Sequence, residues 1–469
     1  MNSRNRYYLT RALLVYFLSL LCCSIIFHQY VMTWYAFVAG VTSIILFYFL
    51  SIYWEKTWKN KDDKKLERGL FVSALLLRLC WILLFYEFTN VYWETPWEQP
   101  VGTRMDSNAY YFEALWAKEL IDNGLGDIYR NWLSTRLSDA GYPVLLFIFN
   151  SISDSSILFT RIPNAFFDAW TAVLVYRLAK RNFNRDIAQL ASIYTVLMPM
   201  LIFYSGVTMK ESVMLMLTMW SLNLGDLIIK ERKLNFRYII SFVLIAFSLF
   251  FFRDVLLWVL LIAFISAFAL SSPTINQTSQ RTIIMILLIS AVFIIAGGTI
   301  LQQYESVESK LEMTENNFVN RGRTNVLVSG LSKGALFPFL FSIPFPTMVD
   351  VPNQYVQAIQ NGGFFLKNIF SFFCVFGIVV LFIRKEWRKY SFLLEFLIGY
   401  LIVLGFSSFA HSGRFHHPII CIELIFAAYG IYAIKTIRQA KMFNFFFFLE
   451  VFIVIGWNWF KLAGRGLIN

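Results

Sequence analysis

Residues 12–29 read ALLVYFLSLLCCSIIFHQ and residues 33–53 read TWYAFVAGVTSIILFYFLSIY, and neither stretch contains Asp, Glu, Lys or Arg. Each is about as long as a helix must be to cross the hydrocarbon of a bilayer, roughly 20 residues. The polar clump KNKDDKKLER follows at 59–68, and the rest of the chain repeats this alternation of apolar run and charged clump. With 58% of its 469 residues hydrophobic and only 15% charged, the chain is no ordinary soluble domain. Short segments of alternating polarity, the mark of a membrane β-barrel, are absent. The expected fold is an all-α polytopic membrane protein of about 13 transmembrane helices. The spans fall near 12–29, 33–53, 70–91, 158–180, 187–207, 211–229, 238–252, 255–271, 282–300, 366–384, 391–410, 418–434 and 444–460. The first run has a basic front but no small-residue cleavage site, so it is expected to be a retained span.

The formal net charge of +12 does not point to nucleic acid, because the basic residues occupy short loops between spans. Arg4, Arg6 and Arg11 fall on one side with the loops Lys56–Arg68, Lys180–Arg185, Lys230–Arg237, Arg384–Lys389 and Lys435–Lys441. That side is expected to be cytoplasmic; Lys461 and Arg465 are the exceptions. The chain then divides into a two-helix N-terminal part (1–69), a core (70–300) containing a first outer loop (92–157), a second outer loop (301–365) and C-terminal helices (366–469). Cys22, Cys23, Cys80, Cys374 and Cys421 all lie in apolar runs and read as small hydrophobes.

Both outer loops exceed what a connector needs. In the first, Ser107–Ile121 is amphipathic, with Phe112, Leu115, Trp116 and Leu120 on one face, and is expected to lie flat in the interface. The stretch 141–152 is apolar but too short to span. In the second, a polar piece from Gln302 to Arg323 gives way to Leu336–Met348. There Pro338, Pro344 and Pro346 exclude a straight helix.

Ionisable residues at or inside spans carry the functional signal, because charge in a membrane is costly. Arg104 and Asp106, Arg161 and Asp168, Lys210 and Glu211, and Arg253 and Asp254 all fall toward the outer side. So do Arg321, Arg323, His411, Arg414, His416 and His417. Together they suggest an outer-interface site for something anionic. Asp106 directly precedes the amphipathic stretch and also reads as a helix N-cap. Lys210–Glu211 and Arg253–Asp254 also read as solvated turns, and the histidine spacing does not suit a helical metal site. Arg78, deep in the third span, needs a partner or a water-filled cleft.

Several motifs carry a family resemblance. Met105-Asp106-Ser107-Asn108-Ala109-Tyr110-Tyr111 opens the amphipathic stretch, and Gly141-Tyr142-Pro143 leads the short apolar one. Arg161-Ile162-Pro163-Asn164-Ala165, Phe203-Tyr204-Ser205-Gly206 and Lys210-Glu211 follow, and Ser412-Gly413-Arg414-Phe415 with Pro418 stands near the C-terminus. In order and sidedness these resemble the GT-C superfamily of membrane glycosyltransferases, specifically the bacterial branch similar to family 39 and the lipid-A aminoarabinose transferases. The resemblance covers roughly 70–255 and 405–434. Two spans precede the family-like core, and Ser107 stands where many relatives carry a second acid, which leaves a divalent cation an open question.

The resemblance implies an inverting transfer of sugar from a polyprenyl-phosphate-linked donor to a glycan, lipid or protein acceptor. It places that transfer at the periplasmic or extracellular face of a bacterial inner membrane. Asp106 would be the catalytic base, and Glu211 would hold a sugar hydroxyl or orient Lys210. Arg104, Tyr110, Arg161, Lys210, Arg253, Asp254, Arg321, Arg323, His411, Arg414, His416 and His417 would bind substrate. No residues are assigned to a metal, and the implied partners are the lipid-linked donor, its acceptor and membrane lipids, without nucleic acid. The alternatives are an O-antigen polymerase or ligase, and a lipid or polysaccharide transporter. A transporter would be expected to show inverted repeats and midplane charges, which are not visible here.

Overall fold

The computed structural model describes residues 2–100, 106–230, 235–270, 340–406, 412–434 and 437–468. Among them the chain is helical, with no strand and one isolated bridge between Val31 and Val349. The first part runs α1 (Asn2–Ile26), α2 (Trp34–Trp58), α3 (Asp63–Tyr92), α4 (Asp106–Asp122), α5 (Gly126–Ser134) and α6 (Gly141–Ser153). Then come α7 (Ile157–Asn182), α8 (Arg185–Leu197), α9 (Pro199–Ser205), α10 (Glu211–Lys230), α11 (Phe236–Phe250) and α12 (Asp254–Leu270). After the gap follow α13 (Tyr355–Ile359), α14 (Asn361–Ile383), α15 (Ser391–Phe406), α16 (His417–Ala433) and α17 (Ile437–Ala463).

This is an all-α polytopic membrane protein. Seven of its described helices are long and apolar enough to cross a bilayer, or eight if α8 and α9, bent by 48° at Pro199, form one broken span. Among the described residues the expected count of thirteen is not confirmed by length: α11 and α12 are short apolar helices. The expected span 282–300, the polar piece 302–323 and the start of 336–348 lie outside the described residues.

The chain sorts its polar contacts onto two faces. On the first, Asn5 donates to Glu55 (2.6 Å), Arg181 and Lys230 flank Asp226, and Lys180 and Arg185 meet Asp63. On the opposite face the Tyr30 hydroxyl donates to the Leu467 carbonyl (2.7 Å). There Lys461 donates to Thr347 Oγ1 and Gln354 Oε1 (2.8 Å). The two chain ends thus lie on opposite faces. Lys461, an exception to the basic-loop pattern, is held by two side-chain oxygens.

Inside, small residues bring helices close. A Cβ on Gly377 of α14 would sit 2.6 Å from the Phe426 carbonyl of α16, so the two backbones nearly touch. Arg78 of α3 finds its partner in Asp168 of α7 (3.3 Å), and both are fully buried. Arg78 also donates to the Val196 carbonyl (3.2 Å), and Ser212 donates to Asp168 (3.1 Å). Asp168 therefore belongs to a structural ion pair and not to the outer group in which the sequence placed it. Removing one partner of such a pair costs about 3–5 kcal/mol, because a charge is left buried alone.

The amphipathic helix forms as α4. Ser107, Tyr111, Ala114 and Ala117 of α4 are buried, while Phe112 and Trp116 point outward. Small residues allow close approach to the bundle, and bulky aromatics suit a lipid interface.

The sidedness is checked by cysteine labelling. With an impermeant maleimide on intact cells, a single cysteine at Asn123→Cys should react and one at Asp62→Cys should not. Reaction at position 62 alone would invert the orientation.

Candidate active site

Five segments meet at the face opposite the N-terminus. Gly141 opens α6; its N–H donates to the Phe251 carbonyl (2.8 Å), and a Cβ there would come within 2.9 Å of the same oxygen. That contact sets Asp139 beside the turn that carries Arg253. The turn between α9 and α10 is buried, so its backbone needs partners. Asn164 supplies one to the Val207 carbonyl (3.0 Å), and Arg161 Nε donates to the Thr208 hydroxyl (3.4 Å). The turn ends in Lys210 and Glu211, both buried. The single-turn 3-10 helix Gly413–His416 carries Arg414, and α4 begins at Asp106.

Arg414 lies between two carboxylates. It forms an ion pair with Asp106, and its Nε is 3.8 Å from Glu211 Oε1. Asp106 is half exposed, whereas Glu211 is almost fully covered. Lys210 pairs with Asp139, donates to the Phe252 carbonyl (2.8 Å) and lies 5.7 Å from the centre of the Tyr110 ring. Arg253 donates to the Tyr400 hydroxyl (3.2 Å), and its guanidinium stacks 4.4 Å from the Phe415 ring. Arg414 lies 5.0 Å from that same ring. Three cations and three carboxylates are thus gathered at one end of the bundle.

Burial lowers the Lys210 ammonium below its ordinary pKa, and Asp139 partly offsets this. Burial alone would raise the Asp139 carboxyl, but Lys210, Arg253 and Arg136 bring it below its usual range. Tyr110 is raised, by burial first and then by Glu211. The cluster is not saturated. Among the described residues, Glu211 Oε2 and both ring nitrogens of His417 are buried without a hydrogen-bond partner. Buried polar atoms in that state mark room for a ligand or water. The His417 ring packs edge-on against Tyr204 at 4.9 Å.

The structure therefore brings together Asp106, Tyr110, Lys210, Glu211, Arg253, Arg414 and His417. His416 is buried beside them in the same turn. Arg161 is fully buried and donates to the Pro96 carbonyl and the Thr208 hydroxyl. Asp254 accepts from the Val255 N–H (2.8 Å) at the start of α12. Arg104, Arg321, Arg323 and His411 lie outside the described residues.

Two acids went unread in the sequence. Asp139 holds Lys210, and its signal was its place two residues before Gly141-Tyr142-Pro143. Glu98 is buried and accepts from the Ser107 hydroxyl (2.7 Å), which fastens the start of α4. Burial pushes the Glu98 carboxyl up, and the Ser107 hydrogen bond opposes this. Ser107, the departure from the family pattern, is thus tied to a carboxylate from further upstream. Among the described residues no three His, Cys, Asp or Glu side chains form a metal-binding set.

Residues 137–304, just over a third of the chain, match the Alg9-like mannosyltransferase family. The matched stretch contains Asp139, Lys210, Glu211 and Arg253 and excludes Asp106 and Arg414. A search of curated protein sequences finds no match. With the helical membrane fold, the match makes the chain a membrane glycosyltransferase of the GT-C type, the class that draws its sugar from a lipid phosphate.

Gly141→Ala tests how the segments are held. The added methyl meets a backbone carbonyl and must push the two turns apart, costing about 1–3 kcal/mol. Thermal unfolding in detergent should show that loss, and sugar transfer should fall with it. An unchanged melting temperature and rate would mean that the contact between 141 and 251 does not position the site.

Proposed function

We propose that this glycosyltransferase moves a sugar, with inversion, from a polyprenyl-phosphate donor to an acceptor hydroxyl on a glycan, lipid or protein. The transfer takes place at the periplasmic or extracellular face of a bacterial inner membrane. The observation that carries the reading is Arg414 held between Asp106 and Glu211, with Lys210 and Arg253 beside it. The three cations and three carboxylates balance, so an incoming phosphodiester enters a site that is close to neutral and rich in donors.

The acceptor oxygen attacks the anomeric carbon, and the bond from that carbon to the phosphate oxygen breaks. The lipid phosphate leaves with the electron pair, and the acceptor proton passes to the Asp106 carboxylate. Arg414 can grip phosphate through two parallel hydrogen bonds, while Lys210 adds a point charge. In the empty site Arg414 is paired with Asp106. When phosphate takes over the guanidinium, Asp106 is released to take the acceptor's proton. Glu211, buried with a spare oxygen, holds a sugar hydroxyl. His417, which lies against Tyr204, is available to the same ring.

A mannosyl donor is the first sugar to test, because the matched family is named for mannosyl transfer. The narrower likeness to family 39 and the aminoarabinose transferases rests on motifs from Met105 to Pro418, of which those around Asp106 and Arg414 lie outside the matched residues.

Asp106→Asn separates chemistry from structure. The residue is half exposed, so loss of its ion pair should change stability by no more than about 1 kcal/mol. Transfer by the purified protein should fall about 10²–10⁴-fold, because the proton acceptor is gone. Donor binding should persist in Asp106→Asn and weaken in Arg414→Ala. Near-normal turnover by Asp106→Asn would remove it as the base and direct attention to Glu211.

A further inference from the structure

Residues 93–98, WETPWE, follow the end of α3, and Trp93, Thr95, Trp97 and Glu98 are all buried. Two contacts seat this segment. The Thr95 N–H donates to the Thr89 carbonyl (3.4 Å), and the Trp97 ring meets Tyr111 of α4 edge-on at 5.4 Å. Glu98 thereby reaches the first turn of α4, where its Oε1 accepts from the Ser107 hydroxyl (2.7 Å). Arg161 of α7 ties the same segment to the charged cluster. It donates to the Pro96 carbonyl, two residues before Glu98, and through Nε to the Thr208 hydroxyl (3.4 Å), two residues before Lys210. Among the described residues, Glu98 Oε2 and Arg161 Nη1 are both buried without a hydrogen-bond partner, and the two charges lie within electrostatic reach of each other. One buried guanidinium thus joins the segment that grips α4 to the turn that carries Lys210 and Glu211.

We propose that Glu98, braced by Arg161, is a positioning residue for sugar transfer: through Ser107 it holds the Asp106 carboxylate in register with Lys210 and Glu211. The inference rests on Asp106 as the base proposed above. That reading takes Arg414 away from Asp106 when phosphate binds, and a half-exposed carboxylate that gives up its ion pair is free to swing out of line. A second hold one residue along, inside the protein and independent of the phosphate, keeps it in place. The Ser107–Glu98 bond has both properties: the two residues are 0% and 1% exposed, and neither touches Arg414 through that bond. A hydroxyl donating to a carboxylate is also among the stronger hydrogen bonds, which suits a part that fixes a distance. Arg161 sets the other end of that distance, because the backbone it grips leads in two residues to Glu98 and its second partner leads in two to Lys210.

The test compares sugar transfer and polyprenyl phosphate binding by the full-length protein in nanodiscs, with Ser107→Ala, Glu98→Ala and Glu98→Gln made singly and on top of Asp106→Asn. Ser107→Ala removes one oxygen atom and decides the matter even where Glu98→Ala does not fold. Ser107→Ala and Glu98→Ala should each lower kcat about 10–100-fold, since a misplacement of ~1 Å costs about 10²-fold, and should leave polyprenyl phosphate binding as in wild type. Glu98→Gln still accepts from the hydroxyl and should recover most of that loss. On top of Asp106→Asn, Ser107→Ala should lower the residual rate no further, because the group it positions is already gone. A further loss there equal to the loss in the wild-type background would show a general structural role and overturn the proposal. Wild-type turnover by Ser107→Ala, with Asp106→Asn inactive, would refute the positioning role and leave the base standing. Near-normal turnover by Asp106→Asn would remove the base and the positioning role together.

Discussion

The Arg414 guanidinium forms an ion pair with Asp106, its Nε lies 3.8 Å from Glu211, and its plane rests against the Phe415 ring. Through that one side chain the first loop, the start of α10 and the turn before α16 are held together, although they are far apart in sequence. In a membrane chain a cation at such a place persists only where anions meet it. One layer deeper the same rule applies to Arg78 and Asp168, and Ser212, next to Glu211, donates to that Asp168. The position of Glu211 is therefore set from below by one ion pair and addressed from above by another.

Two guanidiniums on one aromatic ring would repel each other without their carboxylates. Arg253 and Arg414 both lie against Phe415, Tyr400 braces Arg253, and the Tyr400 hydroxyl in turn donates to the Phe415 carbonyl (2.9 Å). The arrangement is fixed by rings and backbone before any substrate arrives. Fixed dipoles and charges need not reorganise when charge develops on a leaving phosphate, and this is the basis of electrostatic catalysis. The interfacial helix α4 completes the site from one side. Its small-residue face touches the bundle, and its aromatic face meets the bilayer.

Much of the fold was legible because apolar runs of span length have few other uses. Arg78 announced a partner simply by lying inside a span. The drift of charge toward one side collected Asp106, Lys210, Glu211, Arg253 and Arg414, which the structure places at one end of the bundle. What failed did so for physical reasons. Asp168 was grouped with its neighbours in sequence, whereas burial forced it to Arg78. In α4 the aromatic residues Phe112 and Trp116 stay exposed, and Ala114 and Ala117 decide the contact with the bundle. Asp139 and Glu98 sat in loops where an acid needs no explanation, and only the fold brings them to Lys210 and Ser107.

The central claim is that Arg414 exchanges a carboxylate for a phosphate. A cryo-EM structure of the full chain with polyprenyl phosphate bound tests it most directly. The account predicts phosphate oxygens within hydrogen-bond distance of the Arg414 guanidinium and Asp106 released from it. A phosphate bound elsewhere, with the Asp106–Arg414 pair intact, would contradict it.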